Sequence, residues 1–290
     1  MSRAATLALL ALALLMVGLL GGAGHAIAAQ DRYFRTSDGV RLHWIEAGPP
    51  GAPTMLLVPG WAMPAWIFDR QIAAFSARYH VAALDPRGQG DSEVPPGGYD
   101  QDRRGADIAE LIAALGPRPV LLLGWSLGVL DSLAYVHARG DGAIAGLVLV
   151  DNSIGEDPAP VPRPPRPGPP EPWDAHMARF VRTMFATPRP RAWLDRLTDA
   201  ALRLPQPDAR RLLAYPVPRS YWKAAIYSTD KPVLYVVRPR LAGQAENLAA
   251  HRPGSETALF AHAGHALFVD EPERFDQMVM DFAARRVWPR

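Results

Sequence analysis

The stretch LLLGWSLGVLDSL, Leu121 to Leu133, decides how the fold is read. An aliphatic run ends at Gly124-Trp125-Ser126-Leu127-Gly128, and an amphipathic pattern at helical spacing follows at once. A buried strand that turns directly into a helix accounts for both halves. Ser126, at the junction, has two readings. It is either a nucleophile lifted above the sheet edge on a cramped turn, or an ordinary serine between two glycines. On the first reading the glycines permit the turn, and the helix that follows points backbone N–H groups at a developing oxyanion. A G-x-S-x-G string alone is a weak signal; its setting between strand and helix gives it weight.

The same rhythm runs outward in both directions. YFRTSDGVRLHWIEAG, from Tyr33, reads as a hairpin turning at Ser37-Asp38-Gly39. PTMLLVPG (53–60) and HVAALD (80–85) are short apolar strands flanking a helical pattern over 66–79. A second helix is predicted over 102–116, with Ile108, Leu111, Ile112 and Leu115 on one face and Gly116 as its cap. GLVLVD (146–151), KPVLYVV (231–237) and ETALFA (256–261) read as further strands, and a last helix runs from Pro272 to about Arg286. Short apolar strands alternating with helices define an α/β protein, a mostly parallel sheet covered on both faces.

Between residues 152 and 230 the alternation stops. DPAPVPRPPRPGPPEP (157–172) is too proline-rich for a helix or central strand, and reads as a stiff surface segment or a PxxP-type recognition motif. Four helical patterns follow, over 173–186, 191–204, 208–215 and 219–228. This predicts a core of residues 29–151 and 231–290, interrupted by a Pro-rich segment and helical cap over 152–230. The cap's aromatic residues suit either a small core of its own or a pocket wall. Trp173, Tyr221 and Trp222, with Trp125, are the pocket candidates.

The first 28 residues stand apart. One charge at Arg3, an apolar run over 4–20 and the small-x-small sequence Ala26-Ile27-Ala28 read as a signal peptide, which would leave Ala29 as the first mature residue. The run is also just long enough to serve as an uncleaved anchor. Either way the remainder is expected outside the cytoplasm, periplasmic or secreted, with no stable membrane association once the segment is removed. The chain has 290 residues, a net charge of +2 and no cysteine. The charge balance gives no reason to expect a nucleic-acid partner, and the missing cysteines exclude disulfides, thiolate metal sites and a cysteine nucleophile. With neither a phosphate loop nor a dinucleotide fingerprint, no cofactor is expected.

If Ser126 is a nucleophile it needs a base. Of eight histidines, His25 falls in the leader and His43, His80, His137, His176 and His251 sit in poor settings. AHAGHALFVDEPERF (261–275) offers His262, at the end of a strand pattern, and His265, on a loop leading to the last helix. Ser126 before His265 is the chain order expected of a strand-turn-helix serine and its base. A metal site built on both histidines lacks further ligands.

With these residues in view, the chain resembles the α/β-hydrolase superfamily, from about residue 32 onward. LVPGWAMPAW (57–66) is similar to the family's loop after the third strand, with Pro59 where a histidine is usual and Gly60 and Trp61 in place. ALDPRGQGDS (83–92) matches the family's Asp-x-Arg-Gly-x-Gly-x-Ser segment through Asp85, Arg87, Gly88, Gly90 and Ser92. The resemblance implies an α/β-hydrolase fold with an inserted cap, and an oxyanion hole made by the backbone N–H groups of Trp61 and Leu127. It implies hydrolysis of a small or medium carboxylic ester through an acyl-enzyme on Ser126 with His265 as base.

The acid departs from the pattern. Most of the family carries it after the strand matching KPVLYVV, where this chain has RPRLAGQAENLAAHRPGS (238–255), without an aspartate and with Glu246 as its only carboxylate. Some members take the acid from the end of the preceding strand, which here is Asp151. Both candidates stay open, and so does a structural role for Asp151 at its strand end. Related triads also serve perhydrolases, carbon–carbon hydrolases and aminopeptidases, and the fold hosts non-catalytic proteins that bind small apolar ligands.

Overall fold

The computed structural model describes residues 29–161, 171–214 and 216–289. The N-terminal segment read as a leader, and most of the Pro-rich run, lie outside the described residues. Eight strands form one sheet: β1 (Gln30–Arg35), β2 (Arg41–Ala47), β3 (Thr54–Val58), β4 (His80–Asp85), β5 (Val120–Trp125), β6 (Ile144–Val150), β7 (Val233–Val237) and β8 (Ser255–Leu259). Their order is β1-β2-β4-β3-β5-β6-β7-β8. β2 pairs antiparallel with both β1 and β4, and all other pairings are parallel.

Burial explains the order. Every residue of β3, β5 and β7 is buried, as a central strand covered on both faces requires, whereas β1 and β8 stay largely exposed at the two edges. The β1–β2 turn closes where the sequence placed it, with Thr36 N–H donating to the Val40 carbonyl at 2.9 Å.

The core helices are α1 (Asp69–Phe75), α2 (Gln101–Leu115) and α3 (Leu127–Arg139). The first is shorter than its pattern suggested, because Ala65–Phe68 forms a separate 3₁₀ turn ahead of it. α3 packs against the central strands β5 and β3 with every residue from Leu127 to Val136 buried. It is tied to α2 by Arg104 and Asp131, 2.8 Å apart and both 3% exposed. Burial pushes the Asp131 carboxyl up to about 6 despite the arginine beside it. Such a pair fixes how two helices meet more than it adds net stability.

The cap consists of α4 (Trp173–Thr183), α5 (Arg191–Leu202) and α6 (Gln206–Arg211). Its own small core is aliphatic, with Met177, Val181, Leu197 and Ala201 fully buried. The next helix, α7 (Arg219–Tyr227), does not belong with it. α7 buries Trp222, Ala225 and Ile226, and its Tyr221 ring lies 3.9 Å from the ring of His137 on α3. The cap boundary drawn at residue 230 is therefore too late, since α7 is part of the core. Beyond β7 come α8 (Ala242–His251), the short α9 (Leu267–Asp270) and α10 (Pro272–Phe282).

Candidate active site

Three side chains from separate loops converge at the C-terminal ends of the parallel strands, where open α/β sheets place their sites. Ser126 stands between β5 and α3, Asp151 follows β6, and His265 lies on the loop between β8 and α9. His265 Nδ1–H donates to Asp151 Oδ2 at 2.6 Å, and the Ser126 hydroxyl donates to His265 Nε2 at 2.8 Å. The carboxylate fixes the tautomer: with Nδ1 protonated, Nε2 is the acceptor that faces the serine.

The backbone at this site is strained. Three non-glycine residues among those described have positive φ: Ala62 at 58°, Ser126 at 54° and Asp151 at 51°. All three belong to this site or its rim. Such conformations cost roughly 1–3 kcal/mol each and survive only where surrounding contacts impose them. For Ser126 the contacts are clear. Its N–H donates to the Val150 carbonyl at 2.9 Å, and its carbonyl accepts from Asn152 Nδ2 at 2.8 Å. A Cβ on Gly124 would lie 2.3 Å from the Gly128 carbonyl oxygen, and one on Gly128 would lie 2.3 Å from that of Val58. The two glycines are needed for close approach, which is why the motif has them on both sides. Asp151 is held the same way, its N–H donating to the Val236 carbonyl at 2.8 Å.

The loop after β3 sits against the serine, close enough that a Cβ on Gly60 would lie 2.9 Å from Ser126 Cβ. The DPRGQGDS segment shapes it. Gln89 accepts from the Ala62 N–H at 2.7 Å and donates to the carbonyls of Gly60 and Met63 at 3.1 Å. Asp85 accepts from the Ala65 and Asp91 N–H groups. Neither the Trp61 nor the Leu127 backbone N–H has a hydrogen-bond partner among the described residues. Leu127 opens α3, so its N–H belongs to the unsatisfied first turn and is available to an incoming oxyanion. Pro59 costs the loop nothing visible, because its shape comes from Gln89 and Asp85.

Glu246, the other acid considered, is exposed on α8 and has no contact with His265 among the described residues. It lies just over one turn into its helix, whereas Asp151 directly follows a strand end. The carboxylate of Asp151, 2% exposed, is also gripped by Arg238: Nε donates to Oδ2 at 2.6 Å and the backbone N–H to Oδ1 at 3.1 Å.

The pocket candidates are only partly where the sequence suggested. Trp125 is 1% exposed and lines no wall; its Nε1–H donates to the His265 carbonyl at 2.8 Å and its ring lies 5.3 Å from the imidazole. It is a support for the histidine. Tyr221 packs on His137, the eleventh residue of α3 and so about 15 Å from the helix start at about 1.5 Å per residue. Trp222 is buried between Tyr221 and Gly155. Of the cap residues proposed, Trp173 reaches the site, edge-on to Trp61 at 6.1 Å, joined there by Phe180 at 5.0 Å. Trp61 Nε1–H also donates to the Ala209 carbonyl of α6, latching cap to core. A cavity of about 190 Å³ lies nearby at the cap–core junction, lined by Trp66, Gln71, Trp193 and Phe268 among others.

Asn152, Gln89, Arg238 and Asp270 went unnoticed in the sequence. Asp270 accepts from the Gly264, Ala186 and Thr187 N–H groups and from Arg189, joining the histidine loop to the start of the cap's second half. Burial pushes its carboxyl up, but those hydrogen bonds outweigh it and hold it below the usual range. Among the described residues one grouping has metal-ligand types within 4.8 Å, His43, Asp85 and Asp91. His43 and Asp85 are already bonded to each other and Asp85 to two backbone N–H groups, while the exposed Asp91 carboxylate faces Arg203 at 3.6 Å.

A serine, a tautomer-fixed histidine and a buried aspartate in one hydrogen-bonded line, beside two unengaged N–H groups, form an arrangement that can activate a hydroxyl as a nucleophile. The alpha/beta hydrolase family model matches residues 55–277, and the chain belongs to that family. It is 36% identical over 116 residues to a non-heme chloroperoxidase of Streptomyces lividans, 40% of this chain and 42% of that protein. It is 37% identical over 116 residues to epoxide hydrolase A of Mycobacterium tuberculosis, 38% of this chain and 36% of that one. The chain thus spans less than half the length of these relatives. A match of 24% identity covers 83% of this chain and 98% of the pimeloyl-[acyl-carrier protein] methyl ester esterase of Vibrio parahaemolyticus. Among solved structures, a candidate aryl esterase from Burkholderia cenocepacia superposes with a TM-score of 0.76 at 25% identity, covering 88% of this chain and 98% of that one.

Proposed function

We propose that this protein is a serine hydrolase that cleaves a small carboxylic ester without a cofactor. The observation that carries the reading is the unbroken line from Ser126 Oγ through His265 to Asp151, at 2.8 and 2.6 Å. His265 Nε2 takes the hydroxyl proton as Oγ attacks the ester carbonyl. The oxyanion forms against the Trp61 and Leu127 N–H groups. The imidazolium then protonates the departing alkoxide, leaving an acyl-enzyme. Water, deprotonated by the same nitrogen, attacks the acyl carbonyl and releases the carboxylic acid and Ser126. Asp151 orients the imidazole and stabilises the imidazolium that forms.

Related names include epoxide hydrolases and haloperoxidases. A serine nucleophile favours acyl chemistry over the alkyl-enzyme route, and hydrogen peroxide in place of water would give a peracid at the same acyl-enzyme. Trp61, Trp173 and Phe180 suit an apolar or aromatic group on the ester. The leader sequence supports export, which cell fractionation of the full-length chain would check.

The test is labelling of purified protein with a fluorophosphonate, read by intact mass and peptide mapping, with Ser126→Ala as control. A stoichiometric adduct on Ser126 and turnover of aryl or short-chain esters support the reading. A folded protein that takes up no label is a binding protein instead.

A further inference from the structure

The cavity at the cap–core junction is walled from four places in the chain. Trp66 comes from the 3₁₀ turn, Gln71 from α1, Phe268 from α9, and Arg189 and Trp193 from the cap segment. Among the described residues that line it are none of Ser126, His265 and Trp61. The walls are aromatic: Trp66 and Trp193 meet edge to face at 6.0 Å, and the fully buried Phe268 stands edge-on to Trp125 at 5.1 Å. The volume, about 190 Å³, sets the size of an occupant. A cavity of about 150 Å³ can hold one benzene ring, whereas sites for larger ligands start near about 300 Å³. One ring with a small substituent fits.

Two polar atoms of the lining residues have no partner among the described residues. Gln71 is 1% exposed, and its Nε2 donates to the Phe268 carbonyl at 3.1 Å and to Asp276 Oδ1 at 2.8 Å. Those two acceptors fix which end of the amide carries nitrogen, so the buried Oε1 is an acceptor that no donor meets. Arg189 Nη2 donates to Asp270 Oδ1 at 2.9 Å, while its buried Nε–H meets no acceptor. Buried polar atoms are costly to leave unsatisfied, and one acceptor with one donor suits a group that offers both.

We propose that this cavity is a second binding site, separate from the Ser126 centre, for a neutral single-ring molecule bearing a hydroxyl, such as a phenol. A hydroxyl donates to Gln71 Oε1 and accepts from Arg189 Nε–H, while its ring lies among Trp66, Trp193 and Phe268. A carboxylate would set a second acceptor against Gln71 Oε1 and face Asp69, which also lines the cavity. An ammonium would leave the Arg189 N–H unmet and face its guanidinium. A bare hydrocarbon ring satisfies neither atom. This inference goes beyond the hydrolase reading and does not depend on it.

The experiment is titration of the purified full-length protein, followed by fluorine NMR, with para-fluorophenol, para-fluorotoluene, para-fluorobenzoate and para-fluorobenzylamine at neutral pH. The phenol is expected to saturate a single site, and the other three to bind about tenfold more weakly or worse. Val269→Trp, which fills the cavity from its α9 wall, should abolish phenol binding, and Gln71→Met should weaken it about tenfold. Phe180→Ala, at the Trp61 wall, should leave it unchanged. Circular dichroism checks folding, and Trp193→Ala, also expected to weaken binding, replaces Val269→Trp if that variant does not fold. Three results overturn the proposal: no saturable phenol binding by folded wild type, equal affinity for the toluene, or a loss in Phe180→Ala with none in the cavity variants. Each leaves the serine chemistry standing, because fluorophosphonate labelling tests that separately.

Discussion

Among the described residues two histidine–aspartate pairs, His43–Asp85 and His265–Asp151, share nearly the same geometry. In one, His43 Nδ1 lies 2.7 Å from Asp85 Oδ2; in the other, His265 Nδ1 lies 2.6 Å from Asp151 Oδ2. Both aspartates stand at the C-terminal side of a sheet strand. The difference lies on the far side of each ring. His43 Nε2 faces a second carboxylate, Asp31, at 3.1 Å, and its side chain is 2% exposed. His265 Nε2 faces a hydroxyl, and its side chain is 22% exposed. A ring held between two carboxylates favours a fixed positive charge and has no reacting group to serve. A ring between a carboxylate and a hydroxyl can gain and lose a proton at the open end. The histidine–aspartate contact alone therefore says nothing about chemistry; the third partner decides.

The sharpest separation of the two pairs is by nucleophile and base. Ser126→Ala and His265→Ala should each lower kcat by a factor on the order of 10⁶, as for triads that act as a unit. His43→Gln should leave fluorophosphonate labelling intact while lowering the melting temperature. A comparable loss of labelling in a folded His43→Gln would break the distinction. Next comes Asp151→Asn, expected to reduce kcat about 10⁴-fold by offering the wrong tautomer, while Glu246→Gln changes ester turnover little. Equal losses in the two variants would return the acid question to the loop after β7.

Asp85→Ala should act on stability. It strips an acceptor from His43 and from the Ala65 and Asp91 N–H groups, for about 3 kcal/mol by urea unfolding. The pH profiles of stability give the smallest and finest contrast. Burial would lower the pKa of His43, but the hydrogen bonds and charges of Asp85 and Asp31 outweigh it and raise it. A group raised on folding stabilises fully below its unfolded value, near 6.5, and loses that contribution as pH rises through the folded one. His43→Gln should therefore flatten a decline in stability on the alkaline side of about pH 6.5. Asp270 has the opposite sign: its lowered carboxyl stabilises above the unfolded value near 4, and the contribution fades as pH falls. Asp270→Asn should remove an acid-side loss in the contact between the cap segment and the histidine loop, readable by hydrogen exchange at Ala186 and Gly264.

Most of the fold was legible because the central strands are uninterrupted apolar runs and the helices follow at once. Strand ends matched to within about two residues where the burial pattern changes sharply, as at HVAALD. The site was legible where chemistry is local in sequence: Ser126 between glycines, His265 after Gly264. The choice between Asp151 and Glu246 was not, because it depends on which loop reaches the imidazole, a tertiary fact. Tyr221 and Trp222 misled for a related reason. Helical periodicity tells that α7 has an apolar face but not whether cap or core receives it. Trp125 neighbours the serine in sequence but not in the pocket, because alternate side chains at a strand end point to opposite faces.

The position of Asp151 changes how the chemistry is distributed along the chain. Ser126 and its carboxylate both terminate strands of a single β5–α3–β6 unit, twenty-five positions apart, and the serine N–H is itself pinned by the Val150 carbonyl beside the aspartate. Nucleophile and acid are in effect one cassette. The loop after β7 then has no acid to deliver, and its first residue is an arginine that braces the cassette from outside. That loop is the place where an inserted segment, or a graft from another protein, would disturb the reacting groups least, provided that Arg238 and the strand before it are kept.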